Sequence, residues 1–237
     1  MPVLFVTGTG TEIGKTVTTA AIAAAELRRG RTVAVLKAAQ TGVGPDEPGD
    51  AAETARLAGP ATISELARFP EPLAPATAAR RSGLPPVGPQ EIAEAAAKLA
   101  ASHDLVLVEG AGGLLVRFDA AGNTLADAAR MAGAPVLVVV EAGLGTLNAT
   151  ALTALALRTH GLRCPGIVIG SWPAEPGLAA RCNLAELPDH AGVPLLGVIP
   201  EGSGSLPPDA FRAAAPGWLA PELGGTGPAL PEGAGGA

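Results

Sequence analysis

The chain has 237 residues, enough for one α/β domain with a sizeable core. Its 16 Lys and Arg stand against 22 Asp and Glu, a formal charge of −6, and only 3% of residues are aromatic, so the basic stripe and stacking platform of a nucleic-acid binder are missing. Two cysteines make no disulfide framework and suggest a reducing compartment, and no apolar run reaches the length of a membrane span. No basic segment precedes an apolar one at the N-terminus, so the expectation is a cytoplasmic protein with neither a membrane nor a nucleic acid as partner.

Val3–Thr7 reads as the first strand. It runs into Gly8-Thr9-Gly10-Thr11-Glu12-Ile13-Gly14-Lys15-Thr16, and an alanine-rich helix follows over Lys15–Arg29. Strand, glycine loop and helix are the context of a phosphate-binding loop, whose backbone N–H groups turn inward and whose helix adds the positive end of its dipole. Lys15 is expected on the outer phosphates of a nucleoside triphosphate and the Thr16 hydroxyl on Mg²⁺. The spacing departs from the common pattern at Thr9, where a glycine is usual. A dinucleotide site fits less well, because Gly8, Gly10 and Gly14 do not follow G-x-G-x-x-G and no acid ends the second strand.

That second strand spans Thr32–Leu36, is closed by Lys37 and leads to Gln40-Thr41-Gly42. The region Ala38–Gly49 reads as a long loop at the sheet edge where open α/β sheets bind ligands. A second lysine at this edge could stabilise charge on a transferring phosphoryl group. Asp50 opens a short helix through Leu57, ended by Gly59, and is either its cap or a second magnesium carboxylate. Phe69–Gly88 is another proline-rich loop, followed by a helix over Pro89–Ala101.

Leu105–Val108 is the next strand, and Glu109 at its end opens Gly110-Ala111-Gly112-Gly113. An acid there can hold Mg²⁺ directly or through water, and the glycines let backbone approach a ligand. Helix Leu125–Met131, strand Pro135–Val140, helix Leu147–Thr159, strand Gly166–Ile169, helix Leu178–Ala191 and strand Leu195–Ile199 continue the alternation. The strands are apolar on both faces, which predicts an α/β fold of the P-loop NTPase type, a mostly parallel central sheet with helices on both faces. The domain is expected over 1–223, with 224–237 a flexible glycine- and proline-rich tail. His103, His160 and His190 do not cluster at metal spacing, and neither cysteine sits in a nucleophile motif.

Together, Thr7 through Thr16, Lys37 with Thr41-Gly42, and Val108-Glu109-Gly110-Ala111-Gly112-Gly113 resemble the dethiobiotin synthase family. Phe69-Pro70-Glu71-Pro72-Leu73-Ala74-Pro75, Leu144-Gly145-Thr146-Leu147-Asn148 and Leu195-Leu196-Gly197-Val198-Ile199-Pro200 carry the resemblance from Pro2 to about Pro200. It implies an ATP- and Mg²⁺-dependent ligase of biotin biosynthesis. Such an enzyme joins 7,8-diaminopelargonate and CO₂ (or bicarbonate) into dethiobiotin, releasing ADP and phosphate through a carbamate and a carbamic-phosphoric anhydride. By the same resemblance Glu12, Ile13, Gly14, Lys15, Thr16 and Val17 cradle the phosphates, and Thr16, Asp50 and Glu109 surround magnesium. Lys37 with Lys15 is catalytic, and Gly110, Ala111 and Gly112 lie against phosphate or substrate. Thr41 meets the diamine. Gly145, Leu147 and Asn148 reach the substrate of the neighbouring subunit in a homodimer with sites at the interface. Gly170 and Ser171, with Pro200, Glu201 and Gly202, fall where the base pocket belongs.

Two departures stand out. Ala38 replaces the proline that many members carry after Lys37, and Gly170-Ser171-Trp172 replaces an Asn-Asp pair that reads adenine, so other nucleotides remain open as substrates. An amidotransferase of the cobyrinate diamide type would need a glutamine-hydrolysing domain with a catalytic cysteine, for which there is no room after Pro200. A partition or division-site ATPase would carry a second lysine early in the glycine loop, and none is present.

Overall fold

The computed structural model describes residues 2–227. Seven strands form the main sheet: β1 (Val3–Gly8), β2 (Val33–Lys37), β4 (Thr62–Glu65), β6 (Leu105–Gly113), β7 (Val136–Val140), β8 (Ile167–Trp172) and β9 (Leu195–Pro200). Their order is β4-β2-β6-β1-β7-β8-β9, and every ladder is parallel. Two short strands, β3 (Gln40–Thr41) and β5 (Arg68–Phe69), pair separately. The connecting helices are α1 (Lys15–Arg28), α2 (Asp50–Ala58), α3 (Pro75–Ser82), α4 (Pro89–Ala100), α5 (Leu125–Met131), α6 (Thr146–Thr159), α7 (Leu178–Ala191) and α8 (Pro208–Ala214).

The strand alternation assigns each helix its face. Along β6, Leu105 and Leu107 join a core with Ile22 of α1, Leu57 of α2 and Phe211 of α8. Val106 and Val108 face the other way, into a core with Ile92 of α4, Leu125 of α5, Leu157 of α6 and Leu187 of α7. Burying both faces is why these strands read as continuous apolar runs, each buried Val, Leu or Ile contributing about 1.5–3 kcal/mol. The alanines at 20, 21 and 23–25 are all buried, so α1 lies close to the sheet while keeping high helix propensity. By the same alternation Lys37 and Glu109 point to the face that α1 and α2 cover.

Several elements depart from the sequence expectation. The region Phe69–Gly88 contains α3, whose start at Pro75 is ordinary for a first helical position but reads as loop in a proline-rich stretch. Thr62–Glu65 forms an edge strand that is only half-buried and lacks the apolar signal. Strand β8 continues to Trp172 and β9 to Pro200, so Gly170 and Ser171 are strand residues. Asp50 is the first helical residue of α2 and not its cap, a place taken by Gly49. Of the expected tail, 224–227 turn back onto the body through Thr226 N–H to Pro216 O (2.9 Å) and Gly227 N–H to Leu219 O (3.0 Å). The rest of that tail lies outside the described residues. Among the described residues no helix is long and apolar enough to cross a membrane.

Candidate active site

The glycine loop leaves β1 at the middle of the sheet and enters α1 through Gly14, which takes a left-handed conformation (φ 92°). Glu12 is the one non-glycine with positive φ (60°) among the described residues, a strained turn of the kind that functional loops hold. No side chain caps α1 and no acid occupies its first turn, so the free N–H groups at its start are left for an anion. The Lys15 side chain folds back along the loop and donates to Gly10 O at 2.7 Å. Burial, and secondarily the nearby Lys37 cation, hold the Lys15 ammonium below its ordinary pKa.

Beneath the loop lies a charged cluster. Lys37 and Glu109 are register partners on β2 and β6, with 3% and 1% of their surface exposed. The Lys37 ammonium donates to Glu109 Oε1 at 2.7 Å and to Gly110 O at 3.1 Å, and it also pairs with Asp50 Oδ2. The Thr16 hydroxyl donates to the same Glu109 Oε1 at 2.9 Å. Burial alone would push Lys37 down; Glu109 and Asp50 more than offset it and hold its pKa above the ordinary value. The two carboxylates flank the Lys37 ammonium, and the Thr16 hydroxyl meets the same Glu109 oxygen that Lys37 does. Among the described residues no group of three or more His, Cys, Asp or Glu is placed to hold a metal.

A cleft of about 350 Å³ opens over this cluster. It collects Glu12, Gly14, Lys15, Thr16, Val17, Lys37, Thr41, Asp50, Ala111 and Gly112 from the expected set, and adds Thr11, Ala39, Gln40 and Val43. Gly110 sits one step deeper, its carbonyl on Lys37 and its α-carbon under Leu125. A second cleft of about 500 Å³ shares Glu12 with the first and is lined by Ile13, Ser171 and Glu201, together with Glu141, Pro173 and Glu175. Gly170 is buried beneath Ile13 and Gly14 and supports the loop from below, while Pro200 is exposed and Gly202 turns the chain after β9 (φ 76°). Gly145, Leu147 and Asn148 line neither cleft. They belong to the start of α6, next to the fully projecting Leu144 (90% exposed).

Gln40 is the participant that sequence reasoning passed over. It stands in the quoted Gln40-Thr41-Gly42 run, yet its contact with the start of α2 depends on a loop closure that no local pattern announces.

A family model described as an AAA domain matches residues 3–208. The chain is 73% identical over 226 residues to a protein of Streptomyces coelicolor named ATP-dependent dethiobiotin synthetase BioD, covering 95% of each chain. Proteins with the same name from Streptomyces avermitilis and Mycobacteroides abscessus are 71% and 50% identical, the former over 95% of both chains and the latter over 89% of this chain and 92% of its own. Among solved structures, the septum site-determining protein MinD with Mg-ADP from Pyrococcus horikoshii aligns with a TM-score of 0.57 at 18% identity, over 91% of this chain and 94% of that one. A ParA family ATPase from Chlorobium tepidum aligns with a TM-score of 0.57 at 14% identity, over 94% and 96%. At those identities the structural likeness shows a shared P-loop NTPase fold and nothing more.

Proposed function

The chain belongs to the ATP-dependent dethiobiotin synthetase family, and on that premise we propose that it closes the ureido ring of dethiobiotin from 7,8-diaminopelargonate, CO₂ and ATP, with ADP and phosphate as co-products. The observation that carries this reading is the buried Lys37, held charged by Asp50 and Glu109 on the floor of the cleft that Lys15 and Thr16 also line. One amine of the substrate takes up CO₂ as a carbamate and releases a proton. A carbamate oxygen then accepts the γ-phosphoryl group, forming a mixed anhydride and ADP. The second amine attacks the carbamoyl carbon, the C–O bond to phosphate breaks, and the ring closes with loss of the amine proton.

This sequence needs no covalent nucleophile from the protein. Neither cysteine lines the clefts; burial pushes the Cys164 thiol up to about 11, and Cys182 is a surface residue of α7. The protein must orient three reactants and meet moving negative charge. Loop amides from Glu12 to Val17 and the Lys15 ammonium hold the phosphates. Lys37 faces the carbamate and the phosphoryl group in flight, and Thr41 holds the diamine at the cleft wall. Because Lys37 and Glu109 are almost fully buried, their fields are little screened by water.

Magnesium fits the donor set. Thr16 and Glu109 present hard oxygens side by side at the loop, with the Asp50 carboxylate on the other side of Lys37, and Mg²⁺ in phosphoryl-transfer sites takes few protein ligands besides phosphate and water. When bound, the ion neutralises charge on the phosphates. The base belongs in the second cleft with Ser171 and Glu201, with ATP as the nucleotide and other triphosphates as candidates. We also assign a homodimer. Leu144, Leu152 and Leu155 project from the α6 region at 90%, 58% and 53% exposure, with Leu115 nearby at 51%, an apolar stripe suited to a second copy that would bring Gly145, Leu147 and Asn148 to its substrate.

The direct test incubates the protein with diaminopelargonate, bicarbonate, Mg²⁺ and ATP and looks for dethiobiotin by mass spectrometry. Nucleotide binding without product would defeat the assignment.

A further inference from the structure

We propose that Gln40 is a positioning residue: its side-chain amide caps α2 from a distance and thereby fixes Asp50 against Lys37. The inference rests on the reading above, in which Asp50 and Lys37 belong to the reaction site.

Helix α2 begins with an uncapped end. Gly49 occupies the N-cap in extended conformation and has no side chain to offer the first-turn N–H groups. The Asp50 N–H is instead accepted by Gln40 Oε1 at 2.8 Å. Gln40 is only 4% exposed and reaches across the whole loop from β3. Its own backbone is pinned by a hydrogen bond from its N–H to Ala67 O (2.8 Å) and by pairing with Arg68. The Nε2 group donates to Thr41 O at 3.2 Å, which turns the amide so that its oxygen, not its NH₂, meets Asp50. Arg68 ties down the intervening loop by donating to Gly44 O and Glu47 O at 2.8 and 2.7 Å. Glycine at 49 is a condition of the contact, because a Cβ there would stand 2.7 Å from Gln40 Oε1.

The consequence falls on Asp50. Its side chain is 39% exposed, in contrast to the buried Lys37 and Glu109, and its described hydrogen bonds through N–H and carbonyl are to Gln40 and within α2. A carboxylate that exposed holds its place over Lys37 only as firmly as its backbone is held, and Gln40 supplies that hold. The side-chain contacts of Gln40 run to backbone groups, the Asp50 N–H and Thr41 O.

The test compares full-length wild type with Gln40→Met, which keeps length and loses the acceptor. Mn²⁺ binding in the presence of ADP is followed by electron paramagnetic resonance, alongside melting temperature, ADP affinity without metal, and the kcat and KM of dethiobiotin formation. We expect Gln40→Met to weaken Mn²⁺ binding and lower kcat by about tenfold each, the range for a lost partner of a metal-binding carboxylate, with metal-free ADP affinity unchanged. Wild-type Mn²⁺ affinity in Gln40→Met overturns the proposal. Should Gln40→Met not fold, Gln40→Ala replaces it with the same expected loss, since it leaves space and not a clash. A wild type that binds Mn²⁺ and ADP but makes no dethiobiotin would defeat the proposed reaction, while the Mn²⁺ comparison would still decide the role of Gln40.

Discussion

Gly14 and Gly170 meet backbone against backbone: a Cβ on Gly14 would stand 2.2 Å from Gly170 O, and one on Gly170 would stand 2.0 Å from Ile13 O. The phosphate loop is therefore seated directly on strand β8. Gly170→Ala forces loop and strand apart, and overpacking of this kind costs about 1–3 kcal/mol. We expect a lower urea midpoint and nucleotide binding weakened by more than tenfold in a fluorescence titration. The neighbouring exposed Ser171, changed to Ala, should leave the urea midpoint where it is.

Lys37→Met removes the cation shared by Glu109 and Asp50. Loss of one well-placed charge-stabilising donor lowers turnover by about 10²–10³-fold. Binding of Mg-nucleotide should remain close to wild type, because the loop and Lys15 are untouched. Isothermal titration together with steady-state rates separates the two. Turnover near wild type would remove Lys37 from the reaction.

The lysine shifts give a pH dependence with a definite sign. Burial and the neighbouring Lys37 depress Lys15 in the folded protein, so as pH rises it loses its proton before an ordinary lysine at 10.5 does. Nucleotide affinity should fall through that alkaline window, because phosphate prefers the charged form. The stability of the free protein should move the opposite way there, since the unfolded chain binds the extra proton and the folded one is relieved of a buried charge. Lys37, whose pKa is raised, keeps its stabilising charge up to and beyond the ordinary lysine range. Nucleotide titrations and urea melts across pH 8 to about 10 measure both trends; affinity that rises with pH would contradict the assignment of Lys15 to phosphate.

The apolar stripe on α6 predicts its own dependence. Leu152→Glu combined with Leu155→Glu places charges on the face assigned to a second copy. Sedimentation should show a monomer where wild type shows a dimer, and dethiobiotin formation should fall sharply while nucleotide binding persists. A wild type that sediments as a monomer would end the dimer reading.

How far the sequence announces this architecture depends on where each signal resides. The phosphate loop is legible because its chemistry is local, a run from Gly8 to Thr16 between a strand and a helix. Lys37 is legible as a strand end, but β6 runs on to Gly113, so Glu109 lies within it and not at its end; parallel alternation brings both to one face. Helix α3 and strand β4 are not, since a proline start and a half-exposed edge strand carry little periodic signal. The choice left open for Asp50 between cap and acid lies beyond the sequence for a different reason. It turns on Gln40 supplying the cap from ten positions earlier, a tertiary contact with no local trace. The sequence reading places Gly170 in the base pocket, whereas the structure buries it under the loop, through a strand-to-loop contact that appears only in three dimensions.

Lys37 and Glu109 are side-by-side neighbours in one ladder. Adjacent strands keep a spacing of about 4.8 Å whatever the surrounding loops do. The interval between the two α-carbons is thus a dimension of the scaffold, across which the side chains close their 2.7 Å contact. Insertions, thermal loosening or sequence drift in the cleft rim can retune which molecules enter without altering that interval. Anyone transplanting this chemistry into another host would need to carry over two paired strands before any loop.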